Sequence, residues 1–142
     1  ESVLGPKIQW IANTRYFTLD HAMLTVYPPQ FDSGENESSM CILFQRENCD
    51  ILIAGDMTMV AERELMRNVR LPSVDILIVG HHGSNDATSM EFLNVIKPKT
   101  AVISVSANNR YGLPGGELLT RLHLYDCRIL RTDLHGTIIF RG

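Results

Sequence analysis

The sequence predicts an α/β fold in which helices pack on a mixed β-sheet. In the second half of the chain, apolar runs typical of buried strands alternate with segments of helical periodicity. In the first half, most segments have the character of strands, and turn residues separate them. The chain has 142 residues and shows no repeats or linker-like tract, so we expect a single domain over residues 1–142.

The predicted strands are short and are bounded by turn residues or by proline. Pro28-Pro29 ends one of them, because proline cannot donate a ladder hydrogen bond, and the polar segment Gln30–Ser38 is predicted to be a loop. Glu47-Asn48 is typical of a tight hairpin turn. The predicted strands are Lys7–Ile11, Tyr16–Leu19, Met23–Tyr27, Ser39–Gln45, Asp50–Ala54, Val74–Val79, Thr100–Val105, Arg128–Thr132 and Thr137–Phe140.

Three segments between the later strands carry apolar residues at helical spacing. The first two lie between a residue that can cap a helix and a proline that stops one. The predicted helices run from Thr58 to Pro72, from Asp86 or Thr88 to Pro98, and over Glu117–Leu124.

Charge and composition exclude several classes of protein. A net charge of -3 argues against a general electrostatic grip on nucleic acid, but it does not exclude an enzyme whose metal ion supplies positive charge. The three cysteines form no CxxC pair, which argues against a disulfide framework or a structural zinc site, and Cys41 and Cys127 are expected in the core. No stretch approaches the roughly 20 apolar residues of a membrane span. The chain begins at Glu1 and not at Met, and we expect it to be a piece of a longer polypeptide.

The strongest candidate for a functional segment is Gly80-His81-His82-Gly83-Ser84, which follows the strand Val74–Val79. Ligands of open α/β sheets bind at the carboxyl ends of strands. Two neighbouring imidazoles are poor core residues but good metal ligands or proton carriers. Because adjacent side chains point to different sides, we expect only one of His81 and His82 to bind metal, while the other binds substrate or orients a ligand.

Asp56 follows the strand Asp50–Ala54 and Gly55, and it has two interpretations. It could cap the next helix, a position that favours acidic residues. It could also be a metal ligand: Asp56 and His81 lie 25 residues apart at the ends of two strands, and they would lie side by side if those strands are neighbours in the sheet. Zinc and manganese both accept such a mixture of nitrogen and oxygen ligands.

The segment after the strand Thr100–Val105 is either a polar turn or a substrate-binding loop. In the second interpretation, Arg110 pairs with phosphate and Tyr111 stacks on a base, next to Asn108. Thr132-Asp133 and His135-Gly136 are interpreted as a β-turn. His21 and His123 are isolated, and we expect them at the surface.

Several of these segments occur together, in an order that resembles one protein family. The matching region runs from about Ser38 to Ile139, and it resembles the C-terminal part of the metallo-β-lactamase-like domain of ComEC-type competence proteins. The segments that carry the resemblance are Leu52-Ile53-Ala54-Gly55-Asp56, Val74–Ser84, Lys97–Ser106, Asn108–Gly112, Arg131-Thr132-Asp133 and Gly136; Asn36–Ser39 also resembles the family's polar segment before the central hairpin.

The resemblance implies a portion of an αββα sandwich with a divalent metal site, zinc or manganese, at one edge. It implies that Asp56 bridges metals and that one of the two histidines, preferably His81, is a ligand. Ser84, Asn108, Arg110 and Tyr111 would then place the substrate. The family consists of membrane proteins of bacterial DNA uptake, so the implied partners are DNA and the membrane-embedded remainder of the parent, on the extracytoplasmic side of the cytoplasmic membrane.

Two features of the family are missing from this sequence. The His-x-His-x-Asp-His metal motif does not occur, and Leu113-Pro114-Gly115 stands where many relatives have His-Pro-His. Because a catalytic site needs at least three protein ligands, we expect this chain alone to bind metal weakly or not at all and to be inactive. The alternatives are a degenerate, non-catalytic module that binds DNA or a partner, and a standalone hydrolase of a small ester or phosphate. Open sheet edges would also favour self-association.

Overall fold

The computed structural model describes residues 11–29 and 38–141 and places the strands of these residues in one seven-stranded sheet. The spatial order of the strands is their order in the chain. The first four strands form antiparallel pairs, and the last four form parallel pairs, which confirms the predicted mixed sheet. The strands are β1 (Arg15–Leu19), β2 (Ala22–Tyr27), β3 (Cys41–Arg46), β4 (Cys49–Ile53), β5 (Ile76–Ile78), β6 (Thr100–Ile103) and β7 (Arg128–Arg131).

The helices of the described residues are α1 (Met59–Asn68), α2 (Met90–Ile96), α3 (Gly116–Leu124) and the short α4 (Thr132–His135). Each of the first three connects two neighbouring parallel strands. Parallel crossovers are almost always right-handed, so three crossovers that step in the same direction bring their helices to the same face of the sheet. The helices accordingly share one core with alternate residues of the strands. That core includes Leu43, Leu52, Leu77, Ala101, Ile103, Leu65, Phe92, Leu93, Ile96, Leu118 and Leu122.

The opposite face of the sheet is also apolar but is only partly covered. Phe17, Leu24, Phe44 and Ile51 lie directly opposite one another across β1 to β4. Phe17 is 43% exposed, and Phe44 and Ile51 are half-buried. Phe140 lies beside Phe44 and Ile51 in one surface depression of this face.

The predicted strand Thr137–Phe140 is wrong, and so is the β-turn before it. Residues Thr132–His135 form α4, and Gly136 then takes φ 66° and ψ −137°. The side chain of Arg131 donates two hydrogen bonds to the carboxylate of Asp133, which stabilises a helical turn in place of a tight hairpin. Residues 137–140 therefore leave the sheet edge without forming a strand.

The start of the second helix also differs from the prediction. Neither Asp86 nor Thr88 caps α2, because Thr88 takes a left-handed φ of 57° and the chain turns once more before the helix begins. The hydroxyl of Ser89 accepts a hydrogen bond from the amide of Phe92 and caps the helix. Thr58 precedes α1 as predicted, but its side chain makes no capping hydrogen bond.

Other predictions concern the ends of the chain and the cysteines. The described residues do not include 7–10 and 30–37. Most of the predicted strand Lys7–Ile11, most of the predicted loop Gln30–Ser38 and Asn36 therefore lie outside them. Cys41 and Cys127 are buried as expected, and burial raises the pKa of the Cys41 thiol to about 12. Among the described segments, every helix is too short or too polar to cross a bilayer.

A buried carboxylate on α1 holds the loop that leads into α2. Glu62 is fully buried, and its two oxygens accept hydrogen bonds from the amides of Thr88 and Ser89. From α3, the guanidinium of Arg121 donates to the carbonyl oxygens of Asn85, Ala87 and Thr88. Side chains from two helices thus satisfy the polar backbone groups of this loop, which would be costly to bury without partners.

Burial raises the pKa of Glu62 to about 7, although the amides of Ser89 and Thr88 oppose the shift. Between its ordinary pKa of 4.5 and about 7, the folded chain therefore holds more protons at this site than the unfolded chain. We expect this group to stabilise the fold most below pH 4.5 and to lose that contribution, on the order of 2 kcal/mol, as the pH rises through 7.

Urea unfolding measured from pH 5 to pH 8 tests this expectation. The variant Glu62→Gln should be less stable, since its amide group cannot accept one of the two backbone hydrogen bonds, and its stability should depend less on pH. Glu117→Gln, which changes an exposed side chain of α3, is the matched control and should keep the wild-type slope. Equal slopes for Glu62→Gln and the wild type would contradict the assigned role of Glu62.

Candidate functional site

The segment after β5 is a tight turn with unusual backbone geometry. His81 has φ 49° and ψ 43°, and His82 has φ 52° and ψ 23°, so both lie in the left-handed region. Gly83 follows with φ 84°. Two consecutive non-glycine residues in this region are costly, and such strain is concentrated at functional sites. The turn, rather than a continued strand, therefore sets the direction of both imidazoles.

Asp56 lies beside this turn because β4 and β5 are neighbours, which is the condition that its interpretation as a metal ligand required. Beyond the last strand pair, the amide of His81 donates to the carbonyl oxygen of Gly55 over 2.9 Å. The amide of Asp56 donates to the hydroxyl of Ser39, and the side chain of Asp56 is 53% exposed. Asp56 does not cap α1, since the capping position is occupied by Thr58.

His82 is the histidine whose ring faces Asp56. Its Nε2 atom lies 3.8 Å from Oδ1 of Asp56, and its Nδ1 atom lies 2.8 Å from the carbonyl oxygen of Ser104. A carbonyl oxygen only accepts, so Nδ1 carries a proton, and in the neutral ring Nε2 then offers a lone pair. The same arrangement, with one ring nitrogen bound to a backbone carbonyl, orients histidines that bind metals.

His81 points elsewhere. Its Nδ1 atom lies 3.3 Å from Oδ1 of Asp86, in the loop that leads to α2. The side chain is 27% exposed, whereas that of His82 is 59% exposed. The two adjacent histidines thus point to different sides of the turn, as expected. That only one of them binds metal stays a prediction.

A cleft of about 310 Å³ opens next to His82. Tyr111 lines it, and the guanidinium of Arg110 lies 5.0 Å from the centre of the Tyr111 ring while donating to its hydroxyl over 2.8 Å. Of the four predicted substrate residues, only Tyr111 lines this cleft; Ser84, Asn108 and Arg110 do not. The role of all four in substrate binding stays a prediction. The complete lining is His82, Ser104, Val105, Ser106, Asn109, Tyr111, Leu113 and Thr132.

The loop that carries Tyr111 is held by a residue that the sequence interpretation passed over. The side-chain amide of Asn109 donates to the carbonyl oxygens of Ser106 and Leu113, and its oxygen accepts from the amide of Leu113. In the sequence, Asn109 stands out only as part of the polar segment Asn108–Gly112. Nothing in the sequence indicates that its side chain hydrogen-bonds to the backbone of its own loop. Ser104 was missed for another reason: it acts through its backbone carbonyl, which every residue has.

Gly115 shows why the Leu113-Pro114-Gly115 segment cannot carry a histidine at its third position without rearrangement. A Cβ atom on Gly115 would lie 2.0 Å from Oδ1 of Asn85. This oxygen accepts from the amides of Glu117 and Leu118 and so caps α3. The space for a side chain is therefore occupied by the cap of the neighbouring helix.

The described residues supply only part of a metal-binding set. Asp56 and His82 face each other, but within 11–29 and 38–141 no group of three or more His, Cys, Asp or Glu side chains is placed to hold a metal ion. His21 and His123 are exposed and isolated, as expected. The pair fits two ligands of a divalent ion and falls short of the three that a catalytic site requires.

Comparison with known proteins shows that parts of bacterial competence proteins are similar in sequence to this chain. The chain is 38% identical over 109 residues to "ComE operon protein 3" of Bacillus subtilis (strain 168), a match that covers 77% of this chain and 14% of that protein. It is 36% identical over 92 residues to "Competence protein ComA" of Neisseria gonorrhoeae, covering 63% of this chain and 13% of that protein.

A third relative is "Recombination protein 2" of Haemophilus influenzae, with 32% identity over 105 residues, 74% of this chain and 13% of that protein. No protein-family model matches the chain. The chain thus corresponds to one segment, 13% to 14% of the length, of the curated relatives it matches.

The turn that carries both histidines depends on close packing at Gly83. A Cβ atom there would lie 2.8 Å from Cβ of Pro114 and 3.0 Å from side-chain atoms of Ile103 and Leu118, and its φ of 84° disfavours other residues. We expect Gly83→Ala to lower the free energy of unfolding by about 1–3 kcal/mol, through overpacking and backbone strain.

The control is Gly116→Ala, because nothing lies within 4 Å of a Cβ atom at Gly116 and this residue is helical. It should change stability by less than about 1 kcal/mol, and in the favourable direction. Urea unfolding of both variants gives the comparison. Equal stability of Gly83→Ala and the wild type would show that the turn has more room than the packing indicates.

Proposed function

We propose, from the premise that this chain is homologous to one segment of bacterial competence proteins, that it forms part of a metal-dependent hydrolase domain that acts on DNA. The observation that carries the proposal is the pair formed by Asp56 and His82. An exposed carboxylate and an oriented imidazole nitrogen, 3.8 Å apart at the carboxyl ends of two parallel strands, are a suitable pair of ligands for zinc or manganese.

In this proposal His82, and not His81, is the ligand. The Ser104 carbonyl keeps the proton of His82 on Nδ1, so Nε2 can bind a metal without first losing a proton. The ring of His81 lies next to Asp86 instead. A bound divalent ion would supply positive charge and an activated water, and the protein would supply its orientation.

The cleft beside His82 supports DNA as the substrate class. Tyr111 is 70% exposed and offers a flat ring on which a base can stack, and Arg110 next to it can pair with a phosphate. The net charge of -3 makes a broad electrostatic grip on DNA unfavourable, so local contacts of this kind would have to position the strand.

The sheet supports the idea that this chain is one part of a larger domain. The helices α1, α2 and α3 lie on one face, and the other face carries half-buried apolar side chains such as Phe44 and Ile51. An αββα sandwich needs a sheet of this kind, because a second sheet covers the helix-free face. We propose that the remaining metal ligands and the second sheet come from other parts of a longer, membrane-associated parent.

A second function is favoured by the surroundings of Gly115. Because the cap of α3 fills the space where a side chain at this position would lie, the segment offers no histidine to a substrate. This observation fits a degenerate domain that binds DNA or a partner without cleaving it. An intact His-x-His-x-Asp-His motif upstream in the parent would favour the enzyme.

The activity prediction compares this chain with a longer one that includes the upstream motif. We expect the 142-residue chain to show no phosphodiesterase activity with manganese or zinc on single-stranded DNA, and the longer chain to be active. The reason is that two ligands do not hold a metal well enough to activate water. Equal activity in both would contradict the proposed ligand set, and inactivity of both would favour the binding module.

The ligand prediction distinguishes the two histidines within this chain. Manganese should broaden the NMR signals of His82 and Asp56, since it is paramagnetic, and His82→Ala should weaken manganese binding at least about tenfold. His81→Ala is the matched control in the neighbouring residue and should leave binding unchanged. The opposite result, loss with His81→Ala alone, would assign the ligand to His81.

A further inference from the structure

The backbone of Val105 is held in place by a side chain beyond the end of the β6–β7 ladder. The last paired residues of the ladder are Ile103 and Arg131. β7 ends at Arg131 and α4 begins at Thr132, so no backbone group of β7 lies opposite Val105. The hydroxyl of Thr132 binds the backbone of Val105 instead. It accepts a hydrogen bond from the amide of Val105 and donates to the carbonyl oxygen of the same residue, each over 2.8 Å.

The residue before Val105 carries the carbonyl oxygen that orients His82. Along a strand, successive backbone groups point to alternate neighbours. The carbonyl oxygen of Val102 accepts from the amide of Val79 on the side of β5, and that of Ser104, two residues later, accepts from His82 on the same side. The amide and carbonyl groups of Val105 point to the other side, towards Thr132.

These contacts form a continuous path from α4 to the candidate site. Thr132 fixes the backbone of Val105, and its hydroxyl also lies 3.4 Å from the carbonyl oxygen of Ile103. The peptide units on both sides of Ser104 are therefore tied to Thr132. The Ser104 carbonyl in turn decides which nitrogen of His82 carries the proton.

We propose that Thr132 is a positioning residue, which sets the tautomer and direction of His82 through the backbone of residues 103–105. Its importance for catalysis depends on the proposed function, in which Nε2 of His82 binds a metal. The path itself is a property of the metal-free chain and can be tested without activity.

The side chain at position 132 must both donate and accept. Valine has the shape of threonine but offers neither group, so Thr132→Val would leave the amide and carbonyl of Val105 without this partner. Serine keeps the hydroxyl and should restore the wild-type geometry. A matched control for a lost hydroxyl is Thr120→Val, because the Thr120 hydroxyl donates to a backbone carbonyl over 2.9 Å on the exposed side of α3.

The experiment records the ¹⁵N chemical shifts of the imidazole nitrogens in the complete 142-residue chain, labelled at histidine. The spectra are recorded at about pH 9, where free imidazole is neutral. In the wild type, His82 should show the Nδ1-protonated tautomer. In Thr132→Val, its shifts should move towards the Nε2-protonated form that dominates for histidine in water, while His123 on α3 stays unchanged.

Thr132→Ser and Thr120→Val should both give the wild-type shifts of His82. Should Thr132→Val fail to fold, which the His123 signal and urea unfolding would reveal, Thr132→Ala removes the hydroxyl in a smaller side chain and gives the same comparison. Wild-type shifts of His82 in a folded Thr132→Val or Thr132→Ala chain would overturn the positioning role, as would an Nε2-protonated His82 in the wild type.

Manganese distinguishes this inference from the proposed function. If Thr132→Val changes the tautomer but manganese does not affect the His82 signals of the wild type, Thr132 still positions His82, while the pair of Asp56 and His82 does not bind manganese within this chain. If manganese broadens the His82 signals equally in the wild type and in Thr132→Val, with equal affinity and unchanged tautomer, the metal site stands and the positioning role is overturned.

Discussion

The parallel pairing of β4 with β5 is the constraint on which the candidate site depends. It places the carboxyl ends of two strands side by side, and it continues past the strands in the hydrogen bond from the amide of His81 to the carbonyl oxygen of Gly55. Asp56 follows directly on one chain and His82 on the other. A shift of one residue in this register would turn alternate side chains to the opposite face and separate the two groups.

The rest of the molecule holds the strained turn after β5 in place. Glycine at position 83 allows Pro114 and the end of β6 to approach closely, and Glu62 and Arg121 satisfy the backbone of the loop that follows. These contacts come from different helices and strands, so the turn is determined by the packed fold. A backbone conformation that is costly by itself persists where surrounding contacts of this kind over-determine it.

The similarity to competence proteins and the geometry of the sheet agree with each other. The chain corresponds to one segment of much longer relatives, and its sheet has helices on one face and a partly exposed apolar face on the other. The order of the strands explains this asymmetry, because crossovers that step in one direction cannot place helices on both faces. The candidate pair of Asp56 and His82 lies at the carboxyl ends of the central strands β4 and β5, next to an open cleft.

The mixed sheet, most of its strands and the three helices between the parallel strands are predictable from the sequence alone. The proximity of Asp56 to the histidine pair is predictable only on the condition that β4 and β5 are neighbours. These features follow from apolar periodicity and from glycine and proline, which act locally. That His82 and not His81 faces Asp56 becomes visible only in the folded chain, where the left-handed backbone of the turn sets the direction of both rings. In the folded chain α4 also stands where a β-turn was predicted, residues 137–140 form no strand, and Ser104, Thr132 and Glu62 acquire their roles. Those roles depend on backbone groups that are distant in the sequence, and the identity of a residue carries no signal for such contacts.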